Sequence, residues 1–347
     1  MRALVVDGPR QRPDVREVET PRPPEHGALI RVVATGVCRS DWHAWVGHDT
    51  SVRFPHVPGH EFAGVVEAVG DEVRTVRPGM RVTAPFCCAC GRCNECQRGH
   101  QNLCEREFQP GFDAWGSFAE FVVVPWADTN VVTIPDRFEM IEAAALGCRF
   151  ITSYHGLVNR ARVQPGETVV VFGCGGVGLS SIAVAKAAGA RVVAIDISDE
   201  RLAHARATGA DHTIRNTTDS TIVESVLAAA EGGADVTVDA FGSGATLAQG
   251  VRVLRRRGRH LQLGLLLGAD LDPRVPMQDV IRRELDVIGS HGMAARHYPQ
   301  MYAMIANAGI DLRRFVGSVV SLDRAGEALT TMDQFAGKGM TIVEIAS

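Results

Sequence analysis

The stretch Cys38–Glu61 holds a sulfur donor at Cys38, a hydroxyl at Ser40, imidazoles at His43 and His60, and a carboxylate at Glu61. Sulfur and imidazole nitrogen are the donors a borderline-soft ion such as zinc prefers, at about 2.3 Å for Zn–S and about 2.0–2.1 Å for Zn–N. Cys38 and His60 are too few to hold it. A further sulfur stands far downstream at Cys148, in A-L-G-C. Three protein ligands and one open position describe a catalytic zinc, because the open position admits water or a substrate oxygen and makes it more acidic.

A second group of sulfurs crowds one short loop, CCACGRCNECQRGHQNLC. Cys90, Cys93, Cys96 and Cys104 are separated by two, two and seven residues, which suits a closed four-thiolate cage around a structural zinc. Cys87, Cys90, Cys93 and Cys96 also recur every third residue, so spacing alone leaves the register open. An iron–sulfur run is disfavoured, because its bacterial form ends on a proline and Gln97 or Glu105 stands there instead. Such a cage folds a lobe and says little about reaction type.

Gly173, Gly175 and Gly178, with Gly176 and Val177 between them, spell G-x-G-x-x-G after the strand-like ETVVVF and before an Ala-rich helical stretch. In that setting the glycines permit a tight turn and close backbone approach, and the helix N-terminus faces a pyrophosphate. Asp196 follows Gly178 by 18 residues, where a carboxylate binds ribose hydroxyls and repels a 2′-phosphate. That favours NAD over NADP. Arg201 is placed to contact the same ribose, and Leu263 and Leu265 flank the fifth strand, where they would wall a nicotinamide.

Positioning these groups requires two kinds of element. Residues 1–150 alternate short β-branched runs with proline-rich turns, which reads as a β-rich domain. Residues 151–290 alternate strand and helix, with strands predicted at Thr168–Phe172, Arg191–Ile195, His212–Ile214, Asp235–Asp239, His260–Gly264 and Asp286–Gly289. Six such strands make a doubly wound parallel sheet. The junction, IEAAALGCRFITSYHGLV, reads as one helical run. After Gly292 come one helix, YPQMYAMIANA, and short β pieces, so 291–347 is expected to complete the first domain.

The 347 residues suit two domains, and 46% apolar against 22% charged residues is an ordinary globular balance. A net charge of −4 excludes a basic nucleic-acid or membrane footprint. No apolar run approaches the roughly 20 residues of a membrane span, and no signal peptide is visible. Nine cysteines without a secretion signal point to thiolate–metal chemistry and a cytoplasmic setting.

Taken in order, G-V-C-R-S-D-x-H, G-H-E, the four-cysteine loop, A-L-G-C and V-x-G-x-G-G-V-G-L resemble the zinc-dependent alcohol dehydrogenases of the medium-chain dehydrogenase/reductase superfamily. The resemblance covers almost the whole chain. It implies a GroES-like catalytic domain joined to a Rossmann domain, NAD as cofactor, and two zinc ions per chain. Cys38, His60 and Cys148 would hold the catalytic ion, and Cys90, Cys93, Cys96 and Cys104 the structural one. Ser40 resembles the hydroxyl that passes the alcohol proton onward, and His43 the imidazole that delivers it to solvent. Arg39 resembles a cofactor-phosphate contact, Glu61 the acid beside the metal, and Phe86 a residue lining the substrate pocket. Trp42, Trp45 and Trp115 lie near the metal motifs in sequence, as pocket or core. Liver-type relatives carry a C-terminal arginine for a cofactor phosphate, and here only Lys338 stands nearby.

The reading is therefore a hydride transfer between an apolar or aromatic alcohol, primary or secondary, and NAD, giving an aldehyde or ketone. Its rivals are a polyol or sugar dehydrogenase on the same scaffold and a non-catalytic NAD-binding redox or metal sensor. By resemblance, the strand in LDVIGS pairs between subunits of a homodimer or homotetramer.

Overall fold

The structure, a computed structural model, describes residues 1–216, 219–334 and 339–345; Lys338 lies outside the described residues. The chain divides into two units. One comprises Met1–Ile151, Gly292–Gln300 and Leu312–Ser347, and the other Thr152–His291 and Met301–Asp311. The segment Met301–Asp311, most of the last predicted helix, thus groups with the second unit.

The first unit is built on a sheet whose central strand, Ala28–Val37, is long and almost wholly buried. Its β-branched run pairs antiparallel with Glu61–Val69 on one side and Met340–Glu344 on the other. The order continues outward to Arg81–Thr83 and Val132–Thr133 on one flank and Val316–Ser321 on the other, with Phe121–Val124 pairing the central strand as well. Ile30, Phe62, Val66, Val82, Phe118 and Val122 fill the core between these strands. The register sets Gly36 opposite Glu61, at the end of the sheet where both metal-ligand motifs begin.

The second unit carries six parallel strands in the order His212–Arg215, Arg191–Asp196, Thr168–Phe172, Ala234–Asp239, Leu254–Gln262, Asp286–Gly289. That is the dinucleotide-binding order, with its crevice where the strand order reverses beside Thr168–Phe172. The fifth strand starts six residues earlier than the predicted His260 and ends at Gln262. Its opening residues Arg255 and Arg256 are exposed, so they carry none of the buried apolar pattern by which a parallel strand is recognised.

Three further differences from the sequence reading bear on the site. A helix spans Arg39–Val46 inside the stretch that holds the first ligand. The expected single run at the junction is broken into Met140–Ala144 and Arg149–Tyr154, continuing as a π-helix over His155–Arg160. The break is where Gly147 passes Glu61 so closely that a Cβ would come within 2.6 Å of the Glu61 Cα. A helix at Leu322–Thr330 follows the strand Val316–Ser321 and packs Leu322, Ala325 and Leu329 inward. Among the described residues no helix is long and apolar enough to cross a membrane.

Candidate active site

The central strand of the first unit delivers Cys38 as the N-cap of helix Arg39–Val46. Three residues on, the Asp41 carboxylate accepts the Cys38 backbone N–H at 2.8 Å, which fixes the first turn. Its other oxygen accepts from the Gly59 N–H at 3.1 Å and meets His60 Nδ1 at 2.9 Å. Asp41 is fully buried, so it orients the imidazole from inside and leaves Nε2 as the ring nitrogen for a metal. Burial alone would lower the His60 pKa, but Asp41 and the Cys38 sulfur outweigh it and raise it well above the ordinary value.

Cys148 stands at the break in the helical run, its Sγ 4.0 Å from that of Cys38. Hydrogen bonding with Cys148 holds the Cys38 thiol well below its usual range, with the Arg149 charge adding to the effect, and drives Cys148 upward in turn. Burial lifts the Glu61 carboxyl to about 7, while the Arg149 guanidinium pulls the other way. The donor atoms of Cys38, His60, Glu61 and Cys148 all lie within 4.8 Å of one another. Two sulfurs and an oriented imidazole at that spacing fit a zinc ion.

Ser40 and His43 project from the same short helix. Ser40 Oγ is 3.8 Å from Cys38 Sγ, and His43 Nδ1 is 3.0 Å from His48 Nδ1. Burial, then the Arg39 and His48 charges, hold His43 down to about 4. The Arg39 guanidinium sits 4.1 Å over the Trp42 ring and donates to the Met332 carbonyl at 2.9 Å. Phe86 and Phe112 stand edge-on to His60, at ring separations of 6.0 and 5.3 Å. Phe112 arrives there because its loop packs on Gly59, where a Cβ on Gly111 would come within 2.4 Å of the Gly59 oxygen. Trp45 donates instead to the Gln11 carbonyl, and the exposed Trp115 to that of Pro55.

Of the two sulfur registers, the structure gathers Cys90, Cys93, Cys96 and Cys104, again with all donors within 4.8 Å. The Cys104 Sγ accepts backbone N–H groups of Cys90 at 3.2 Å and Arg106 at 3.3 Å, and lies 3.8 Å from Cys93 Sγ. A tetrahedron of Zn–S bonds near 2.3 Å has edges of about 3.8 Å, so the set fits a closed zinc site. The Cys96 N–H holds Cys93 down to about 6, while burial pushes Cys96 up to about 12. Cys87 lies apart, beside the Met293 carbonyl, and burial pushes it up to about 12.

In the second unit the glycine loop joins Thr168–Phe172 to the helix Gly176–Ala187. Gly173 has φ +91°, and a Cβ on Gly178 would come within 1.8 Å of the Gly173 oxygen. Above Gly175 a Cβ would meet nothing, which leaves the open cradle a pyrophosphate needs. Asp196 ends the next strand, its carboxylate accepting the Cys174 N–H at 2.8 Å and the Ser198 N–H at 3.0 Å. Val177 lies in the first turn of the helix after the loop, and Arg201 in that of Asp199–Thr208. Leu263 is buried and Leu265 exposed, both just past the fifth strand.

Residues 24–136 match the family described as alcohol dehydrogenase GroES-like domain, and residues 176–307 that described as zinc-binding dehydrogenase. An alcohol dehydrogenase of Geobacillus stearothermophilus is 35% identical over 295 residues, 84% of each chain. The chain belongs to the zinc-dependent alcohol dehydrogenases of the medium-chain superfamily. An NAD-dependent alcohol dehydrogenase of Sulfurisphaera tokodaii is 31% identical over 95% of each chain. The solved alcohol dehydrogenase from Thermus sp. ATN1 superposes with a TM-score of 0.90 at 30% identity, covering all of both chains.

Within this family fold, several residues at the candidate site escaped the sequence reading. Asp41 and Arg149 were visible only as neighbours of ligands, in C-R-S-D and G-C-R, and nothing local says which way they point. Ile197 and Phe241 are exposed apolar side chains just past two parallel strands. The signal for Ile197 was its place directly after Asp196; Phe241 and Phe112 had none, being single aromatics in loops.

Proposed function

We propose that this chain interconverts apolar or aromatic alcohols, primary or secondary, with aldehydes or ketones, using NAD as the hydride acceptor. The observation that carries the reading is the gathering of Cys38, His60 and Cys148 around one point, with Asp41 orienting the histidine. When bound there, the catalytic zinc supplies Lewis-acid polarisation of the substrate oxygen. The four-cysteine set holds the structural zinc. Residues 1–150 with most of 291–347 act as the catalytic domain, and 151–290, joined by Met301–Asp311, as the NAD-binding domain.

Ser40 takes the alcohol proton and hands it toward His43. A serine is no base at its own pKa, so it works as a relay. His43 is neutral at pH 7 and accepts a proton without retaining it, which suits delivery to solvent. Phe86 and Phe112 give the substrate an apolar wall beside His60 and argue against a polyol. Arg39 contacts a cofactor phosphate, and Glu61 acts beside the metal through Arg149. On the cofactor side, Gly173, Gly175, Gly176, Val177 and Gly178 receive the pyrophosphate, and Asp196 with Arg201 the adenosine ribose. Ile197 and Phe241 offer flat apolar faces to an adenine, while Leu263 and Leu265 wall the nicotinamide.

The protein works in the cytoplasm as a homodimer or homotetramer. The strand Asp286–Gly289 supports the second point, since it ends its sheet with Val287 44% exposed, next to a helix whose Ile281 is 67% exposed.

The test is cofactor reduction by the zinc-replete protein across primary, secondary, aromatic and polyol substrates, with NAD and with NADP. Rapid NAD reduction by apolar alcohols, lost on chelation, is expected. Turnover confined to polyols would replace the substrate class; preference for NADP would overturn the role of Asp196. Inactivity across the whole panel in zinc-loaded protein would favour a sensor.

A further inference from the structure

We propose that Arg149 is a positioning residue that holds the Glu61 carboxylate out of the catalytic metal's ligand set, and so keeps one coordination position open for substrate. The inference rests on the reading of Cys38, His60 and Cys148 as the protein ligands.

Glu61 is the fourth potential donor in a cluster whose ligand atoms lie within 4.8 Å of one another. It directly follows His60 in sequence. A carboxylate is a competent zinc ligand at about 2.0–2.2 Å, and a fourth protein donor would close the site into a structural one. Something must therefore direct this carboxylate elsewhere.

Two independent features do so. The first is a fork. Glu61 Oε1 accepts from Arg149 Nε at 3.1 Å and Oε2 from Nη2 at 2.8 Å, so both oxygens are engaged at once. Nη2 also donates to the Val37 carbonyl at 2.8 Å, one residue before Cys38, which anchors the guanidinium to the central strand. Both side chains are buried, so water does not compete for either partner. The second feature is space. Glu61 lies opposite Gly36 across the sheet, and a Cβ on Gly36 would come within 2.3 Å of Glu61 Oε2. A Cβ on Gly147 would come within 2.8 Å of the Glu61 Cβ, so that glycine makes room for the base of the side chain. The missing side chain at Gly36 thus leaves a slot in which the carboxylate lies, and Gly147 clears the base of the same side chain. The break between Met140–Ala144 and Arg149–Tyr154 lets consecutive residues serve opposite ends: Cys148 reaches the cluster and Arg149 the slot.

Cobalt(II) substituted for zinc in the full chain tests this, because its visible ligand-field bands follow donor set and coordination geometry. Subtracting the spectrum of the Cys38→Ser variant cancels the four-cysteine site. Arg149→Gln is expected to shift the bands as Glu61 enters the ligand set, and adding Glu61→Gln is expected to restore the wild-type pattern. Zinc release to a chelator gives a second readout. R149Q should hold zinc about 10-fold or more tighter, on the scale that neighbouring groups alter metal affinity. Losing an arginine that merely supported the fold would loosen the metal instead. Unmoved bands in R149Q, with release unchanged or faster, would overturn the proposal. Should R149Q fail to fold, Arg149→Lys carries the same test, since one ammonium does not reproduce the two-pronged grip. Shifted bands again support the proposal and unmoved bands overturn it. A wild-type difference spectrum without thiolate-to-cobalt charge transfer would instead strike down the ligand set, and this inference with it.

Discussion

At the scale of single residues, the site depends on buried polar groups that are not themselves donors to the metal or substrate. Asp41 joins the Cys38 N–H, the Gly59 N–H and His60 Nδ1 through one carboxylate, so it locks two ligand segments together. Asp41→Asn keeps the shape and loses the charge; zinc affinity should fall about 10–100-fold, read by chelator competition. Ser40→Ala and His43→Ala should each lower kcat by about 10²–10⁴-fold at unchanged zinc content. Because the two act in one relay, the double variant should lose little more than either single one. His43 also makes a pH prediction. Its folded pKa of about 4 lies below the ordinary value near 6.5, so between those values the unfolded chain binds a proton that the folded chain refuses. The stability it contributes is complete above about pH 6.5 and is lost as pH falls toward 4. Urea midpoints measured across that window should drop less steeply in His43→Asn than in the parent chain.

At the scale of elements, close backbone approach decides where the chemistry stands. The glycine loop works because its first and third glycines nearly touch, with no room for a methyl group between Gly178 and the Gly173 oxygen. Gly178→Ala should cost about 1–3 kcal/mol by overpacking and weaken NAD binding, as a denaturant midpoint and a cofactor titration would show. The Cys148 turn obeys the same rule, since Gly147 must pass Glu61 before the helix Arg149–Tyr154 can start. Periodicity saw continuous helix there because alanines and apolar residues fit a helix on both sides of the break. The helix Arg39–Val46 escaped for a different reason: eight residues with Trp42, His43 and Trp45 among them carry little apolar period. Its capping by Asp41 is a contact, and only partly a spacing.

At the scale of the whole molecule, the end strand Asp286–Gly289 is an unpaired edge among the described residues, with Val287 and Ile281 exposed beside it. Val287→Lys should shift the protein toward monomers in sedimentation, because a lysine on an edge opposes strand addition. Donor types and the order of the parts were legible along the chain. Sulfur and imidazole at Cys38, His60 and Cys148, the four spaced cysteines, the glycine loop with Asp196 behind it, and alternating strand and helix were all readable. They were readable because donor type, short-range spacing and hydrophobic period are local properties of the chain. Tertiary structure decided which cysteine register closes into a cage, that Asp41 faces His60 across 19 residues, and that Arg149 takes up Glu61 across 88. It also decided that Phe112 reaches His60 from a loop seated on Gly59. These are pairings between distant segments, set by sheet register and by the gaps glycines leave, and no window along the chain contains both partners.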